Sequence, residues 1–267
     1  MHTRAGGLAA GYGGAVVAGT TVYAYLTRPA AAAWGLDWLG MGRAEVRFLG
    51  AVLEGDATDV IPVAGDGDWR IEARHGGDVR AVAVVGIDDR PPPTEPQGDR
   101  LEPLVVTLDD RWVGYAERAG EDLVLYREHD LVHPVVWPAL ANRMFALQLV
   151  DGPWVHTRSA IRHVGLARPG ATALVEAFLT DRFDTPRRSA VATMSASRST
   201  VTRLPSSSTR RWSRSDLVEP GRGTPVRAPP CGMASTCAWS ADDDSYGYCP
   251  TFIRGQRAYQ LRGAQSG

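Results

Sequence analysis

The sequence predicts an α+β protein in which one structural unit, a long helix followed by an antiparallel sheet, occurs twice. Three observations support this fold class: an internal repeat, apolar residues at helical spacing in each copy, and alternating strands after each helix. A sheet with one apolar face must bury that face. We therefore expect the helix of each copy to cover its own sheet.

The internal repeat is carried by the pattern R-x-x-G-x-x-x-x-G, which begins at Arg47 and again at Arg162. The two copies are 115 residues apart, and the same offset aligns Gly19 with Pro134 without a gap. Self-similarity at a fixed distance indicates a duplicated unit. Two units of this size fit within the 267 residues of the chain.

Each copy contains one long predicted helix, at residues 15–27 and 133–148. Apolar residues recur there every three or four positions, which is the spacing of one helix face. In the first copy these residues are Val16, Val17, Val22, Tyr23 and Leu26. In the second copy they are Val132, Val135, Val136, Ala139, Leu140, Met144 and Leu147.

Strands are predicted after each helix because apolar and polar residues alternate there, which indicates one buried and one solvated face. The strands of the first copy lie at residues 43–48, 57–64, 69–75 and 79–87. Glycine and aspartate supply the turns between the last three. The strands of the second copy lie at residues 104–108, 155–162 and 172–179.

These elements divide the chain into four segments. Residues 1–90 form the first repeat and residues 104–186 form the second, while the proline-rich stretch 91–103 is typical of a linker. Only 18 residues precede Gly19, so we expect the first repeat to lack its opening strand. Residues 187–267 are expected to be a largely disordered or frame-shifted tail, which would leave the second repeat truncated.

The tail differs from the rest of the chain in charge and composition. It holds 12 arginines and 5 acidic residues, whereas residues 1–186 hold 17 arginines and 25 acidic residues. Ser, Thr and Arg account for 20 of the 34 residues from 187 to 220, which is too polar to bury a core. Three interpretations are open: a disordered basic tail, a tail that binds nucleic acid through arginine–phosphate contacts, and a reading-frame shift.

We favour the reading-frame shift and place nucleic-acid binding last. All 29 basic residues are arginine and asparagine occurs once, which indicates a GC-rich gene. Out-of-frame reading of such a gene yields mainly Arg, Ser, Pro, Thr, Ala and Gly. Shifting codons 204–213 by one base produces an apolar, strand-favouring run where the second copy lacks its last strand.

The cysteines and an apolar stretch near the N-terminus indicate where in the cell the protein is expected to function. The cysteines, Cys231, Cys237 and Cys249, all lie in the tail, and their number and spacing fit neither a disulfide framework nor a zinc site. The apolar stretch at residues 15–26 is too short to span a bilayer and is diluted by polar residues. We therefore expect a cytoplasmic protein with no membrane segment, no metal and no cofactor.

Several short blocks, in the same order in both copies, resemble the MaoC-like acyl dehydratases and (R)-specific enoyl-CoA hydratases. The resemblance covers about residues 12–182. The blocks are Y-A-Y-L at 23–26, W-G-L-D at 34–37, V-R-F at 46–48, E-G-D at 54–56, V-H-P at 132–134 and L-A-N-R at 140–143. The resemblance implies a double hot-dog fold, in which each sheet wraps a central helix, and an activity that adds water to or removes it from acyl thioesters.

The family's catalytic motif, S-G-D-x-N-P-x-H, corresponds to residues 119–126, which read A-G-E-D-L-V-L-Y. The resemblance implies that Glu121 replaces the motif's aspartate and Tyr126 its histidine. Because tyrosine is a much poorer base than histidine at neutral pH, His133 at the start of the second helix is the candidate substitute. Gly19, at the start of the first helix, is the candidate backbone donor to the thioester oxygen.

The replacement of the motif histidine by Tyr126 leaves two functions open. The first is an enoyl-CoA or acyl-ACP hydratase or dehydratase, which Glu121 and His133 favour. The second is a non-catalytic subunit that binds acyl thioesters within a hot-dog complex, which Tyr126 favours. In either case the expected partners are an acyl-CoA or acyl-ACP and a second hot-dog subunit, in a homodimer or a mixed complex, rather than nucleic acid.

Overall fold

The computed structural model describes residues 1–65, 67–88, 98–150, 154–185, 188–196, 226–227 and 251–260. Within these ranges, ten strands form one sheet in which all neighbours pair antiparallel, and two further strands form a small antiparallel sheet of their own. The chain therefore has the predicted α+β architecture. No helix within the described ranges is both long and apolar enough to cross a membrane.

The first half supplies one side of the large sheet and the helix that covers it. Its strands lie side by side in the order β2–β3–β4–β1, and helix α2 packs against them. The elements are α1 (Arg4–Ala9), α2 (Gly19–Met41), β1 (Gly42–Phe48), β2 (Asp59–Ala64), β3 (Trp69–His75) and β4 (Asp78–Ile87).

The second half continues the sheet in mirror order, β7–β12–β10–β9–β5. Strand β11 lies at the far edge of the first half, beside β2, and β6 pairs with β8 in the small sheet. The elements are β5 (Asp99–Arg100), β6 (Leu104–Thr107), α3 (Asp110–Val113), α4 (Tyr115–Arg118), α5 (Leu125–Glu128), α6 (Val136–Gln148), β7 (Trp154–His163), β8 (Thr172–Val175), β9 (Ala177–Thr185), β10 (Arg188–Ala196), β11 (Val226–Arg227) and β12 (Thr251–Gln260).

The two halves meet where β1 pairs with β7, and the register of this pair follows the sequence repeat. Glu45 pairs with Ala160, which occupies the equivalent position 115 residues later. The flanking pairs exchange repeat equivalents: Arg43 lies opposite Arg162, and Arg47 lies opposite Arg158. The two copies of the sequence repeat are therefore related by a pseudo-twofold axis, which passes between β1 and β7 at the centre of the sheet.

Helix α2 is longer than predicted and starts later. It begins at Gly19 because Ala18 is extended, and it continues past Pro29 to Met41 rather than ending at residue 27. Pro29 lacks an N–H and so removes one helical hydrogen bond. The next two residues, Ala30 and Ala31, are almost fully buried, and this packing against the sheet maintains the helix. The bend comes later, at Gly35, whose φ of 53° and ψ of −131° suit glycine alone.

Helix α6 agrees with the second predicted helix, starting at Val136 instead of residue 133. Its apolar face is buried, including Val136, Leu140, Met144 and Phe145. The predicted strand at residues 172–179 is divided at Glu176 into β8 and β9, and β9 extends to Thr185. The division allows one part to pair with β6 and the other with β10.

The segment boundaries predicted from the sequence fall partly outside the described residues. Residues 1–18 contain α1 and one isolated bridge between Val16 and Leu53, and no named strand. Within the predicted linker, residues 98–103 are described and include β5. In the predicted tail, the described segments are strands β10, β11 and β12. Disorder or a frame shift in the rest of residues 187–267 lies outside the described residues and stays a prediction.

Strand formation at residues 188–196 is a departure from the sequence expectation, which foresaw no strand beyond residue 186. Strand β10 pairs on one side with β9 and on the other with β12. Sheet ladders are built from main-chain N–H and C=O groups, so a polar segment can pair without contributing to a core. Polar composition therefore failed to reveal this strand.

Candidate functional site

The loop that carries Glu121 lies between short helices of the second half. Gly120 has a φ of 85°, a left-handed conformation that turns the chain sharply before Glu121. The carboxylate of Glu121 then points inward, with its side chain only 4% exposed. The backbone N–H of Leu123 donates to its Oε1 atom at 2.9 Å, which fixes the carboxylate in one orientation.

His133 lies opposite this carboxylate, just before helix α6, and is buried. The backbone N–H of Val135 donates to its Nδ1 atom at 2.9 Å, so the ring proton must reside on Nε2. Nε2 lies 3.5 Å from Oε2 of Glu121. Burial lowers the pKa of His133, and the neighbouring Glu121 only partly opposes this shift. His133 is therefore a neutral imidazole whose N–H faces the carboxylate.

Tyr126 completes the group from helix α5. Its ring centroid lies 4.7 Å from that of His133, with the planes inclined by 45°. Burial raises the pKa of the Tyr126 hydroxyl well above its usual value, and the charge of Glu121 raises it further. The hydroxyl is therefore protonated at neutral pH, where it can donate a hydrogen bond but cannot act as a base.

Glu121, Tyr126 and His133, which we call the polar trio, each have one buried atom without a hydrogen-bond partner among the described residues. These atoms are Oε2 of Glu121, the hydroxyl oxygen of Tyr126 and Nε2 of His133. Buried polar atoms are nearly always paired, so three neighbouring exceptions require an explanation. One acceptor and two donors around a small space can bind a polar atom of a ligand.

Arg28 reaches the polar trio from the first half, and the sequence analysis did not identify it. Its Nε lies 3.6 Å from Oε1 of Glu121, and its guanidinium also pairs with the exposed carboxylate of Asp122. Arg28 thus supplies a positive charge next to the buried carboxylate. An arginine within the apolar run of a helix was the sequence signal that could have indicated this role.

A second buried polar group lies beside the trio and has all its bonds satisfied. The hydroxyl of Tyr23 bonds to Nε2 of His163 at 3.2 Å, and Nδ1 of His163 donates to the carbonyl of Trp38 at 2.9 Å. Burial lowers the pKa of His163 to about 4. With both ring nitrogens engaged, this histidine holds α2 against β7.

Gly19 lies at the first turn of α2, and its neighbours belong to a different cluster. A Cβ atom at this position would lie 3.4 Å from Nδ1 of His156 and from the ring of Phe48. His156 in turn bonds through Nε2 to the hydroxyl of Ser159 at 2.7 Å. Arg28, which contacts the trio, is nine residues further along α2, or roughly 13 Å along the helix axis. The role expected for Gly19 stays a prediction.

The described residues offer no group of three or more His, Cys, Asp or Glu side chains that could hold a metal ion. The tail cysteines, Cys231, Cys237 and Cys249, lie outside the described residues.

Comparison with known proteins identifies the fold. No family model matches the chain, and no curated protein sequence matches it. Among solved structures, it is similar to a conserved hypothetical protein of Mycobacterium tuberculosis described as having a double hotdog fold. The TM-score is 0.51 at 12% identity, covering 94% of this chain and 84% of that chain.

Other similar structures are described as dehydratases or thioesterases. A putative MaoC domain protein dehydratase from Chloroflexus aurantiacus has a TM-score of 0.49 at 12% identity, over 98% of this chain and 87% of that one. A putative oleoyl thioesterase from Lactobacillus plantarum has a TM-score of 0.48 at 9% identity, over 92% and 90%. Likeness at these identities concerns the fold, and the chain has the double hot-dog fold expected from its sequence.

Proposed function

We propose that the protein is a hydratase or dehydratase of acyl thioesters, with an enoyl-CoA or acyl-ACP as substrate and the polar trio as its site. The observation that carries this proposal is the buried carboxylate of Glu121, whose unpaired Oε2 faces the N–H of His133 at 3.5 Å. A carboxylate beside an imidazole is the kind of pair that acid–base addition of water uses.

The two carboxylate oxygens of Glu121 have different roles in this proposal. Oε1 is held by the N–H of Leu123 and faces Arg28, which leaves Oε2 for the ligand. A water molecule that bridges Oε2 and Nε2 of His133 from one side would donate to the first and accept from the second. Its oxygen would thereby be oriented and made more nucleophilic, which is the role of a general base in this reaction.

His133 acts in this scheme as a fixed donor rather than as a base. Its Nδ1 is occupied by the N–H of Val135, and the proton on Nε2 faces the site. Burial lowers its pKa, so the ring stays neutral near pH 7. Glu121 is then the base, and His133 positions the water.

The alternative is a non-catalytic subunit that binds acyl thioesters within a hot-dog complex. The observation that favours it is Tyr126 at the position of the family's motif histidine, because its protonated hydroxyl cannot accept a proton. Homodimerisation or pairing with another hot-dog subunit, and a cytoplasmic location, accompany both functions as predictions. Neither function calls for a metal or a cofactor.

Hydration of crotonyl-CoA, followed by loss of absorbance of the conjugated thioester, tests the proposal. We expect activity in the unchanged protein and its loss in Glu121→Gln, which keeps the shape of the side chain but removes the base. Glu117→Gln, on the exposed surface of α4, is the matched control. Crotonyl-CoA that binds without being hydrated would support the alternative function instead.

A further inference from the structure

Residues 134–136, at the start of helix α6, offer no free backbone N–H to a ligand. Pro134 has no N–H, and the N–H of Val135 donates to Nδ1 of His133. The next N–H, of Val136, donates to the carbonyl of His133 at 3.1 Å. A thioester oxygen that approaches this helix end therefore lacks the backbone N–H groups that a helix start usually presents.

Tyr126 supplies a donor in the same place. Its hydroxyl is buried and has no partner among the described residues, and its ring lies against that of His133. His133 Nε2, the other unpaired donor of the trio, faces Oε2 of Glu121. Tyr126 is thus the donor of the trio that remains available to a second oxygen of the substrate.

We propose that Tyr126 donates the hydrogen bond that stabilises the thioester oxygen, in place of a backbone N–H at the start of α6. This inference rests on the proposed function and names the group that binds the carbonyl of that substrate. It also gives Tyr126 a role at the position of the motif histidine. The tyrosine would donate a hydrogen bond to the developing oxyanion, whereas a histidine there would accept a proton.

The reaction balances with these roles. Oε2 of Glu121 removes a proton from water, the water oxygen bonds to the β-carbon, and the electron pair of the C=C bond moves towards the carbonyl. Negative charge develops on the thioester oxygen, where the O–H of Tyr126 donates to it. Glu121 then returns the proton to the α-carbon. Tyr126 keeps its proton throughout, which agrees with the raised pKa of its hydroxyl.

Gly19 is the competing donor, and its position argues against it for this site. Its neighbours on the Cβ side are Phe48 and His156, whereas α2 contacts Glu121 through Arg28. A carbonyl oxygen and the β-carbon of one enoyl thioester are separated by only two further carbon atoms. The donor to the thioester oxygen must therefore lie close to the base, and Tyr126 contacts His133 within the trio itself.

The test measures the carbonyl of a bound thioester that cannot react. Butyryl-CoA carrying a ¹³C-labelled carbonyl is added to the full chain, and isotope-edited infrared spectra are recorded. A hydrogen-bonded carbonyl absorbs at lower frequency than a free one. We expect a shifted band in the unchanged protein, loss of the shift in Tyr126→Phe, and an unchanged shift in Tyr115→Phe. Tyr115 is a matched control because its buried hydroxyl bonds to Thr20.

One further variant and an activity measurement make the outcome decisive. Gly19→Pro removes the competing N–H at a helix position that tolerates proline. A shift that persists in Tyr126→Phe, or that disappears only in Gly19→Pro, overturns the inference, and so does bound butyryl-CoA without any shift. In the hydration assay Tyr126→Phe should lose roughly 10²–10³-fold in kcat, the effect of removing one oxyanion donor.

The same measurements separate this inference from the proposed function. A shift that depends on Tyr126 in a protein that does not hydrate crotonyl-CoA would refute the hydratase proposal and retain the donor. Hydration that survives in Tyr126→Phe at the full rate would refute the donor and retain the hydratase. Absence of butyryl-CoA binding would refute both.

Discussion

The two halves of the protein have one architecture but differ at the positions where chemistry is expected. In the second half, the start of the helix is preceded by the polar trio. The repeat offset of 115 residues places the equivalents of Glu121, Tyr126 and His133 in the first half at Gly6, Gly11 and Ala18. No acid, phenol or imidazole occupies these positions, so only the second half carries an acid–base group at its helix start.

The first half contributes in another way. Its helix α2 brings Arg28 to the carboxylate of Glu121 and Tyr23 to His163, both of them groups of the second half. The pairing of β1 with β7 fixes the relative position of the two halves. The two halves therefore share one arrangement of helix and sheet, but the site between them is asymmetric. The second half holds the proposed base, Glu121, and the first half holds the cation beside it, Arg28.

The largest expected effect comes from removing the base in the half that holds the trio. Glu121→Gln should reduce crotonyl-CoA hydration by roughly 10²–10⁴-fold, the usual contribution of a general acid or base. The rate constant kcat of the purified variant is the quantity to compare with that of Glu117→Gln. Retention of more than a tenth of the rate would show that Glu121 is not the base.

The contact between halves should have a smaller effect. Arg28→Gln leaves a buried carboxylate without its cation, which is unfavourable for the folded state. We expect a loss of stability and about tenfold lower kcat/KM, with Arg28→Lys retaining part of both. Urea unfolding of the single variants and of the Arg28→Gln/Glu121→Gln double variant measures the coupling. Strictly additive losses would mean that the two side chains do not interact.

Stability should fall with acid because of a buried histidine in the second half. The pKa of His163 is about 4 in the folded protein against an ordinary value of 6.5. The unfolded chain therefore binds a proton as the pH falls through about 6.5, while the folded protein does not do so until about 4. The stability that neutral His163 provides is present above pH 6.5 and is lost progressively down to about pH 4.

The expected size of this loss is about 3 kcal/mol in the free energy of unfolding. Urea titrations at half-unit pH steps would record it, with His163→Gln flattening the curve in this window. His129→Gln, which changes a histidine outside the buried group around His163, should leave the pH dependence of the unfolding free energy unchanged. An equally steep curve for His163→Gln would assign the pH dependence to other groups.

The smallest expected effect concerns the last strand of each half. In the first half β4 follows β3 after two residues, whereas in the second half β12 begins at residue 251, far beyond β10. If a frame shift displaced the native last strand, restoring the frame after about codon 188 should raise soluble yield and the thermal midpoint. Each kcal/mol gained should raise the midpoint by about 2–4 °C. Equal yields and midpoints for both versions would show that the chain as written is the native one.

Much of the framework could be predicted from local pattern. Alternation in residues 43–48 and 155–162 predicted β1 and β7, and the offset between Arg47 and Arg162 indicated a duplicated unit. The pairing of the two halves through β1 and β7 was not predicted. The limits of α2 could not be predicted, because the continuation past Pro29 depends on Ala30 and Ala31 being buried in the folded protein. Strand β10 was missed because main-chain pairing leaves little trace in composition.

The sequence alone determined the duplicated α+β unit, since periodicity is a local property of the chain. The resemblance to the MaoC-like family, which is also carried by the sequence, singled out Glu121, Tyr126 and His133. The tertiary structure alone decided which atoms of these residues face one another. It placed the proton of His133 on Nε2, brought Arg28 from the other half to Glu121, and engaged the N–H groups at the start of α6. These features depend on how the two halves pack. Packing brings together residues that are far apart along the chain, and no local sequence pattern indicates such contacts.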